Sequence, residues 1–269
     1  MIVFPNCKIN LGLHILRKRT DGFHDLETIF YPLPVTDALE VLPAATLTFA
    51  SSGIAVPGNE ADNLCLKAFH LLLQDFPHIQ PVNIHLHKHI PIGAGLGGGS
   101  ADAAFMLQLL NQKFQLGLTT DALVAYAAQL GSDCPFFILN KPCFATGRGE
   151  VMEPVELDLS GYSFLLVHPG IHVNTGWAFR QLTPKQPDYS LREKIQTPVE
   201  TWKNTIVNDF EAPVFEAHPV LAGIKEQLYA AGAVYAAMSG SGSAILGIFP
   251  KNKIADIRWD ASYRVFTIR

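Results

Sequence analysis

PIGAGLGGGSADAA, residues 91–104, is the stretch on which the reading of this sequence turns. Five glycines (Gly93, Gly95, Gly97, Gly98 and Gly99) fall within seven positions, after an alternating apolar segment and before a helix-forming one. Glycine opens backbone conformations closed to other residues and lets neighbouring N–H groups converge on one anion. The helix predicted over 100–114 aims its unsatisfied N–H groups and the positive end of its dipole at the same point. Ser100 adds a hydroxyl suited to a phosphate oxygen or to its metal ion. The loop therefore predicts a phosphate site. The plain alternative, a flexible turn without a ligand, leaves the entropy forfeited by five glycines uncompensated. Two familiar phosphate loops do not fit. A Walker A loop needs Lys before Ser or Thr, where this sequence has Gly99. Gly93-x-Gly95-x-x-Gly98 matches the dinucleotide pattern in letters, yet Asp121, near where the ribose-binding acid belongs, opens a helix instead of ending a second strand.

Upstream, CKINLGLHIL (7–16) alternates. Ile9, Leu11, Leu13 and Ile15 share one face, and Lys8, Asn10, Gly12 and His14 the other, the pattern of a half-buried strand. Thr20-Asp21-Gly22 supplies a turn, and FHDLETIFYPL (23–33) returns as the second strand of a hairpin. LEVL and LTFA read as further strands. Asp62-Asn63 caps a helix ended by Pro77, VNIHLHKHI (82–90) is an alternating strand, and Thr119 or Thr120 caps a helix closed by Gly131. From about residue 153 come a strand (YSFLLVHP), a Pro- and Gln-rich stretch (184–198), and helices near 199–217 and 220–231. A strand (VYAAM), the glycine turn SGSG (239–242), a strand (SAILGIF), a short helix and a last strand (RVFTI) close the order. Strands mixed with helices, without strict βαβ alternation, predict an α+β fold in two lobes, 1–150 and 151–269.

Outside the loop the residues leave alternatives open. Lys8 lies among apolar neighbours and reads either as the solvent face of an edge strand or as a buried charge kept for chemistry. Asp133, between Gly131 and Pro135, reads as an ordinary helix cap or as a base, and a cap position keeps a carboxylate ionised, so the readings are compatible. SGSG is no nucleophile elbow, because Ser243 and Ala244 follow it. His85, His87 and His89 alternate on one strand face without a Cys or carboxylate to complete a ligand set, so a solvated face is expected there and no metal site.

Composition narrows the class. With 48% hydrophobic and 16% charged residues, the 269-residue chain can bury enough surface to offset its conformational entropy, which excludes disorder. No stretch approaches the ~18 uninterrupted apolar residues of a membrane span. The net charge is −4 and no basic block exceeds Arg17-Lys18-Arg19, which argues against a nucleic-acid partner. Cys7, Cys65, Cys134 and Cys143 lack C-x-x-C spacing and fit reduced thiols. The opening residues lack a signal or transit pattern, and a cytoplasmic protein is expected, a monomer or weak homodimer with neither nucleic-acid nor membrane partner.

Taken together, these motifs resemble a known family. PIGAGLGGGSADAA is similar to the phosphate loop of the GHMP small-molecule kinases, and KINLGLHILRKRTDGFHDLETIFYPL (8–33) narrows the resemblance to the 4-diphosphocytidyl-2-C-methyl-D-erythritol kinases. The likeness continues through DNL (62–64), LGSDCPFF (130–137), HPG (168–170), NDFE (208–211) and SGSGSA (239–244). It implies the two-lobed GHMP kinase fold, with a ribosomal-protein-S5-like N-terminal lobe and a ferredoxin-like C-terminal lobe. It also implies phosphorylation of the 2-hydroxyl of a CDP-linked methylerythritol by ATP, with Mg²⁺ arriving alongside, in non-mevalonate isoprenoid synthesis. Position by position, Lys8 and Asp133 resemble the catalytic pair, Asp133 as base and Lys8 as its partner. Asn10 resembles a substrate-orienting residue, His24 the reader of the cytosine edge, Phe23 its platform, and Thr175 and Phe179 further substrate contacts. Asn63 and Leu64 resemble the adenine side and Lys88 a nucleotide contact. The loop Pro91, Ile92, Gly93, Ala94, Gly95, Leu96, Gly97, Gly98, Gly99, Ser100 and Ala101 would hold the phosphates. Phe23 stands where the family usually has Tyr, and Ala94 where a Gly is frequent, which a negative φ tolerates. A GHMP kinase for homoserine or mevalonate has no base for the TDGFH hairpin to hold. A silent nucleotide sensor is expected to have lost Lys8 or Asp133, and a dehydrogenase would need to bind nicotinamide.

Overall fold

The computed structural model describes residues 1–269, which fold into two compact units that interleave along the chain. The first is built from residues 1–8, 32–92 and 97–141, the second from 9–31, 93–96 and 142–269. Leu13, Ile15 and Leu26 of the early hairpin bury themselves in the core of the second unit.

In the first unit, four strands order as Ile2–Val3, Ala38–Pro43, Val82–Lys88 and Thr48–Gly53. Thr48–Gly53 runs parallel to Val82–Lys88, with the helix Leu64–Asp75 in the chain between them, and the other pairs are antiparallel. The strand Val82–Lys88 alternates strictly: Val82, Ile84, Leu86 and Lys88 point inward, and Asn83, His85 and His87 outward. His85 and His87 share the Ser52 hydroxyl on the exposed face, at 3.1 and 3.0 Å. Leu64–Asp75 begins where the sequence places it, with the Asn63 side chain accepting from the Cys65 N–H. Thr119 caps Thr120–Leu130 in the same way, through the Ala122 N–H. The long helix Gly98–Phe114 buries Ala101, Ala103, Ala104, Met106, Leu107, Leu109 and Leu110. At roughly 1.5–3 kcal/mol for each large apolar side chain buried, this face fixes the helix whose N-terminus the glycine loop presents.

In the second unit, an antiparallel sheet orders as Tyr235–Met238, Ile245–Pro250, Tyr162–His168 and Arg264–Ile268. Glu211–Ala217 and Pro219–Ala230 contribute Val214, Leu221, Ile224 and Leu228 to its core. A further sheet orders as Asn6–Lys18, His24–Thr36, Cys143–Thr146 and Val151–Pro154; only residues 6–8 and 32–36 of its strands count with the first unit.

Three expectations change. The strand at 7–16 is buried on both faces rather than one, because Gly12 takes Leu191 and Ile206 against its backbone while Asn10 and His14 find polar partners inside. The helix near 199–217 is two pieces, a 3₁₀ turn at Val199–Asn204 and Glu211–Ala217. Between them the backbone bonds to Leu13 instead of to itself, with Leu13 N–H donating to Val207 and Asp209 N–H to Leu13. No helix lies between the strands Ile245–Pro250 and Arg264–Ile268. No helix of the structure is long and apolar enough to cross a membrane, and all four cysteines are free, buried thiols.

Candidate active site

The glycine loop takes backbone conformations that its glycines permit. Gly93, Gly95 and Gly97 adopt φ of 67°, 76° and 69°, which side chains resist, while the backbone at Ala94 stays out of that region. Gly97 is the helix N-cap and offers no side chain to the first turn, leaving its N–H groups for a ligand. A Cβ at Gly97 would lie 2.8 Å from the Phe137 ring and 3.1 Å from Lys8 Cγ, and one at Gly98 would lie 2.9 Å from Ile90. Gly99 is exposed and Ser100 half-buried at the helix start, whereas Pro91, Ala94, Leu96, Gly98 and Ala101 are buried and Ile92 and Gly93 exposed.

Lys8 does not lie on a solvent face: it is 4% exposed. Its Nζ lies 3.3 Å from Asp133 Oδ2, whose side chain keeps 36% exposure. Asp133 stands at the N-cap of the helix Cys134–Leu139, yet its backbone is helical and its side chain caps nothing. The carboxylate is thereby left to Lys8 and to solvent. The arrangement sets a half-exposed carboxylate against a buried ammonium, with Lys8 packed at Gly97 where the loop helix begins.

Lys88 is placed differently. Buried at 3%, it donates to Asp37 Oδ2 and, at 2.7 Å, to Asp102 Oδ2. Asp37 Oδ1 accepts from the N–H groups of His89 and Ile90, at 2.6 and 2.9 Å. Burial works against the Lys88 charge, but the carboxylates of Asp102 and Asp37 hold its ammonium above the usual range. Burial, helped by Asp37 and opposed by Lys88, pushes the Asp102 carboxyl up to about 7. A cavity of about 360 Å³ opens here, with Asn63, Leu64, Lys88, Ile92, Gly99 and Asp102 in its wall. Sequence reading flagged neither Asp37 nor Asp102; the signal available was Lys88 itself, whose place in the alternation demands buried counter-charges.

In the second unit, Asn10 is buried, donating through Nδ2 to Thr28 Oγ1 (2.9 Å) and through its N–H to Ser239 Oγ (3.2 Å). Ser239 donates to Gly95 O at 2.8 Å, and Ala244 N–H to Ala94 O at 3.2 Å, so the SGSG turn is the support of the loop's middle residues. Asn208 braces that turn by donating to Met238 O and Gly240 O, a role its place in NDFE did not disclose. Phe23 is 49% exposed, with the Arg148 guanidinium 3.7 Å from its ring centre. The His24 ring stacks on Phe179 at 4.9 Å and 17°, and Phe210 meets Phe179 edge-on. Burial, with Lys18 nearby, holds the His24 imidazole below its usual value. Thr175 Oγ1 bonds Ser241 Oγ at 2.9 Å, at the start of the helix Thr175–Arg180.

The family models for the GHMP kinases N terminal domain and the GHMP kinases C terminal match residues 63–141 and 199–260. A 4-diphosphocytidyl-2-C-methyl-D-erythritol kinase of Bacteroides fragilis is 53% identical over 268 residues, covering 98% of this chain and 97% of that one. The chain belongs to this kinase family. A crystal structure of a 4-(cytidine 5'-diphospho)-2C-methyl-D-erythritol kinase superposes with a TM-score of 0.80 at 33% identity, over 92% of this chain and 90% of that one. The mevalonate kinase of Methanococcus jannaschii, at a TM-score of 0.70 and 14% identity over 100% and 98% of the two chains, shares the fold alone. As a GHMP kinase the chain is an ATP-dependent phosphotransferase acting on a small molecule.

Proposed function

We propose that the chain transfers the γ-phosphoryl group of ATP to the 2-hydroxyl of 4-diphosphocytidyl-2-C-methyl-D-erythritol in non-mevalonate isoprenoid synthesis. The observation that carries the mechanism is the Lys8–Asp133 pair at 3.3 Å, with Lys8 Cγ 3.1 Å from where a Gly97 Cβ would stand, at the N-terminus of the glycine-loop helix. Asp133 takes the proton as the hydroxyl oxygen bonds to the γ-phosphorus and the bond to the leaving ADP oxygen breaks. Lys8 orients Asp133 and offsets charge on the phosphoryl oxygens in flight. Phosphoryl transfer asks mainly for such positioning and charge stabilisation.

In this reading residues 91–101 take the phosphates, and the cavity beside Asn63, Leu64 and Lys88 takes the adenine. Lys88 acts there through the cavity wall, since its ammonium is engaged by two carboxylates. Asn10 orients the substrate, the exposed ring of Phe23 carries the cytosine, His24 reads its edge, and Thr175 and Phe179 complete the substrate contacts. Residues 1–150 supply the nucleotide loop and the catalytic pair, and 151–269 form the substrate lobe, with the hairpin tip at 20–24 serving it. No group of three or more His, Cys, Asp or Glu stands ready to hold a metal alone. Mg²⁺ would arrive on the phosphates, where the Ser100 hydroxyl would help to hold it and the ion would supply charge neutralisation. The setting is the cytoplasm, and the chain acts as a monomer or weak homodimer without nucleic-acid or membrane partner.

Coupled ADP release tests the reading, with Mg²⁺-ATP and the CDP-methylerythritol against homoserine, mevalonate and free CDP. Turnover with the first alone is expected. Turnover with homoserine or mevalonate instead would move the chain to another GHMP activity, and ATP binding without turnover on any of them would make it a silent sensor.

A further inference from the structure

We propose that Asp102 selects adenine, its Oδ1 accepting a hydrogen bond from the 6-amine of the base; the inference rests on the nucleotide reading of the cavity above. Around Lys88 every polar atom but one is accounted for. The ammonium serves Asp37 Oδ2 and Asp102 Oδ2, and Asp37 Oδ1 serves two backbone N–H groups. Asp102 Oδ1 is buried and has no partner. A buried carboxylate oxygen without a donor is costly, and its persistence marks a place where a donor arrives from outside.

Asp102 belongs to the wall of the cavity that also holds Asn63, Leu64, Leu86 and Gly99, so a donor bound in that cavity comes to its carboxyl group. Gly99 lies in the first turn of the phosphate-loop helix, so a ligand whose phosphates sit on that turn has its remainder within reach of this cavity. The remainder must have an apolar face, to suit Val56, Leu64 and Leu86, and polar edges that include a donor, to suit Asn63 and Asp102. Adenine meets both demands through its 6-amine. Guanine has a keto oxygen at that position, which would face the carboxylate acceptor to acceptor.

Asparagine at 102 inverts the pattern. Lys88 only donates, so the amide turns its carbonyl toward Lys88 and its NH₂ into the cavity, where it opposes the adenine amine and suits a keto oxygen. The test is calorimetry on the intact chain with ATP, GTP and purine riboside triphosphate, which is ATP without the 6-amine. At pH 8, with Asp102 ionised, wild-type protein should bind ATP about 10- to 100-fold more tightly than the amine-free analogue, the range of one charge-assisted hydrogen bond. Asp102→Asn should remove that preference and narrow the gap between ATP and GTP. In turnover the loss should fall on the KM for ATP, leaving kcat and the KM of the alcohol close to wild type. Equal binding of ATP and the analogue by the wild-type protein overturns the role of Asp102 and needs no variant to fold. An ATP-to-analogue ratio unchanged in Asp102→Asn overturns it as well. Absence of ATP binding overturns the nucleotide reading together with it.

Discussion

Lys8 and Lys88 are both almost wholly buried, on different strands, and both end on aspartate, yet their surroundings assign them opposite work. Lys8 meets Asp133, a carboxylate still 36% exposed at the end of a short helix. Lys88 meets Asp37 and Asp102, exposed at 0% and 4%, one of them tied to two backbone amides. A half-exposed carboxylate can receive a proton from a substrate and return it to solvent. The carboxylates at Lys88 are held by its ammonium and, for Asp37, by two backbone amides, and they fix the geometry of the cavity beside them. What distinguishes the two lysines is thus the exposure of their partners rather than their own burial.

The largest effect that separates them is on rate. Asp133→Asn should lower kcat by about 10²–10⁴ while ATP still binds, because the amide keeps the shape of the carboxylate and removes the group that takes the proton. Near-wild-type turnover would remove Asp133 as the base. At the other cluster the expected loss is of stability. Lys88→Met leaves two buried carboxylates facing each other, and breaking such a pair costs about 3–5 kcal/mol. The thermal midpoint should then drop by about 10 °C, read by calorimetry, and a shift under about 2 °C would erase the contrast. The smallest effect concerns pH. The native Asp102 carboxyl, at about 7, keeps a proton that an unfolded aspartate, at 3.8, has released, so rising pH favours unfolding between those values. Lys88, Asp37 and the buried Cys65 thiol are the groups that face it. From pH 5 to pH 8 the wild-type midpoint should fall by about 2–4 °C more than that of Asp102→Asn. Parallel curves would mean that Asp102 holds no proton in the native protein.

Much of this is legible in the sequence because the signals are local. Asn63 and Thr119 announce their helices through cap chemistry, five glycines announce the loop, and strict alternation from Val82 carries Lys88 inward. What escapes depends on partners far along the chain. The alternation around Lys8 was right in period, but a half-buried strand and a fully buried one share that period; Leu191 and Ile206, which cover Gly12, are nearly two hundred residues away. Helical periodicity near 199–217 concealed a break that exists only because Leu13 claims the backbone of residues 207–209. Asp102 looked like one more residue of a helix start, and its role follows from a lysine on another strand.

Gly95 has a consequence for anyone who would take the molecule apart. Any side chain there would meet the Ser239 carbonyl oxygen at 2.0 Å, and the Ser239 hydroxyl holds the Gly95 carbonyl in return. A fragment ending at residue 150 would therefore carry every glycine of the phosphate loop and none of the turn that gives its middle residues their shape. The nucleotide site is not a portable cassette: the loop is written in one stretch of the chain and moulded by another, synthesised more than a hundred residues later.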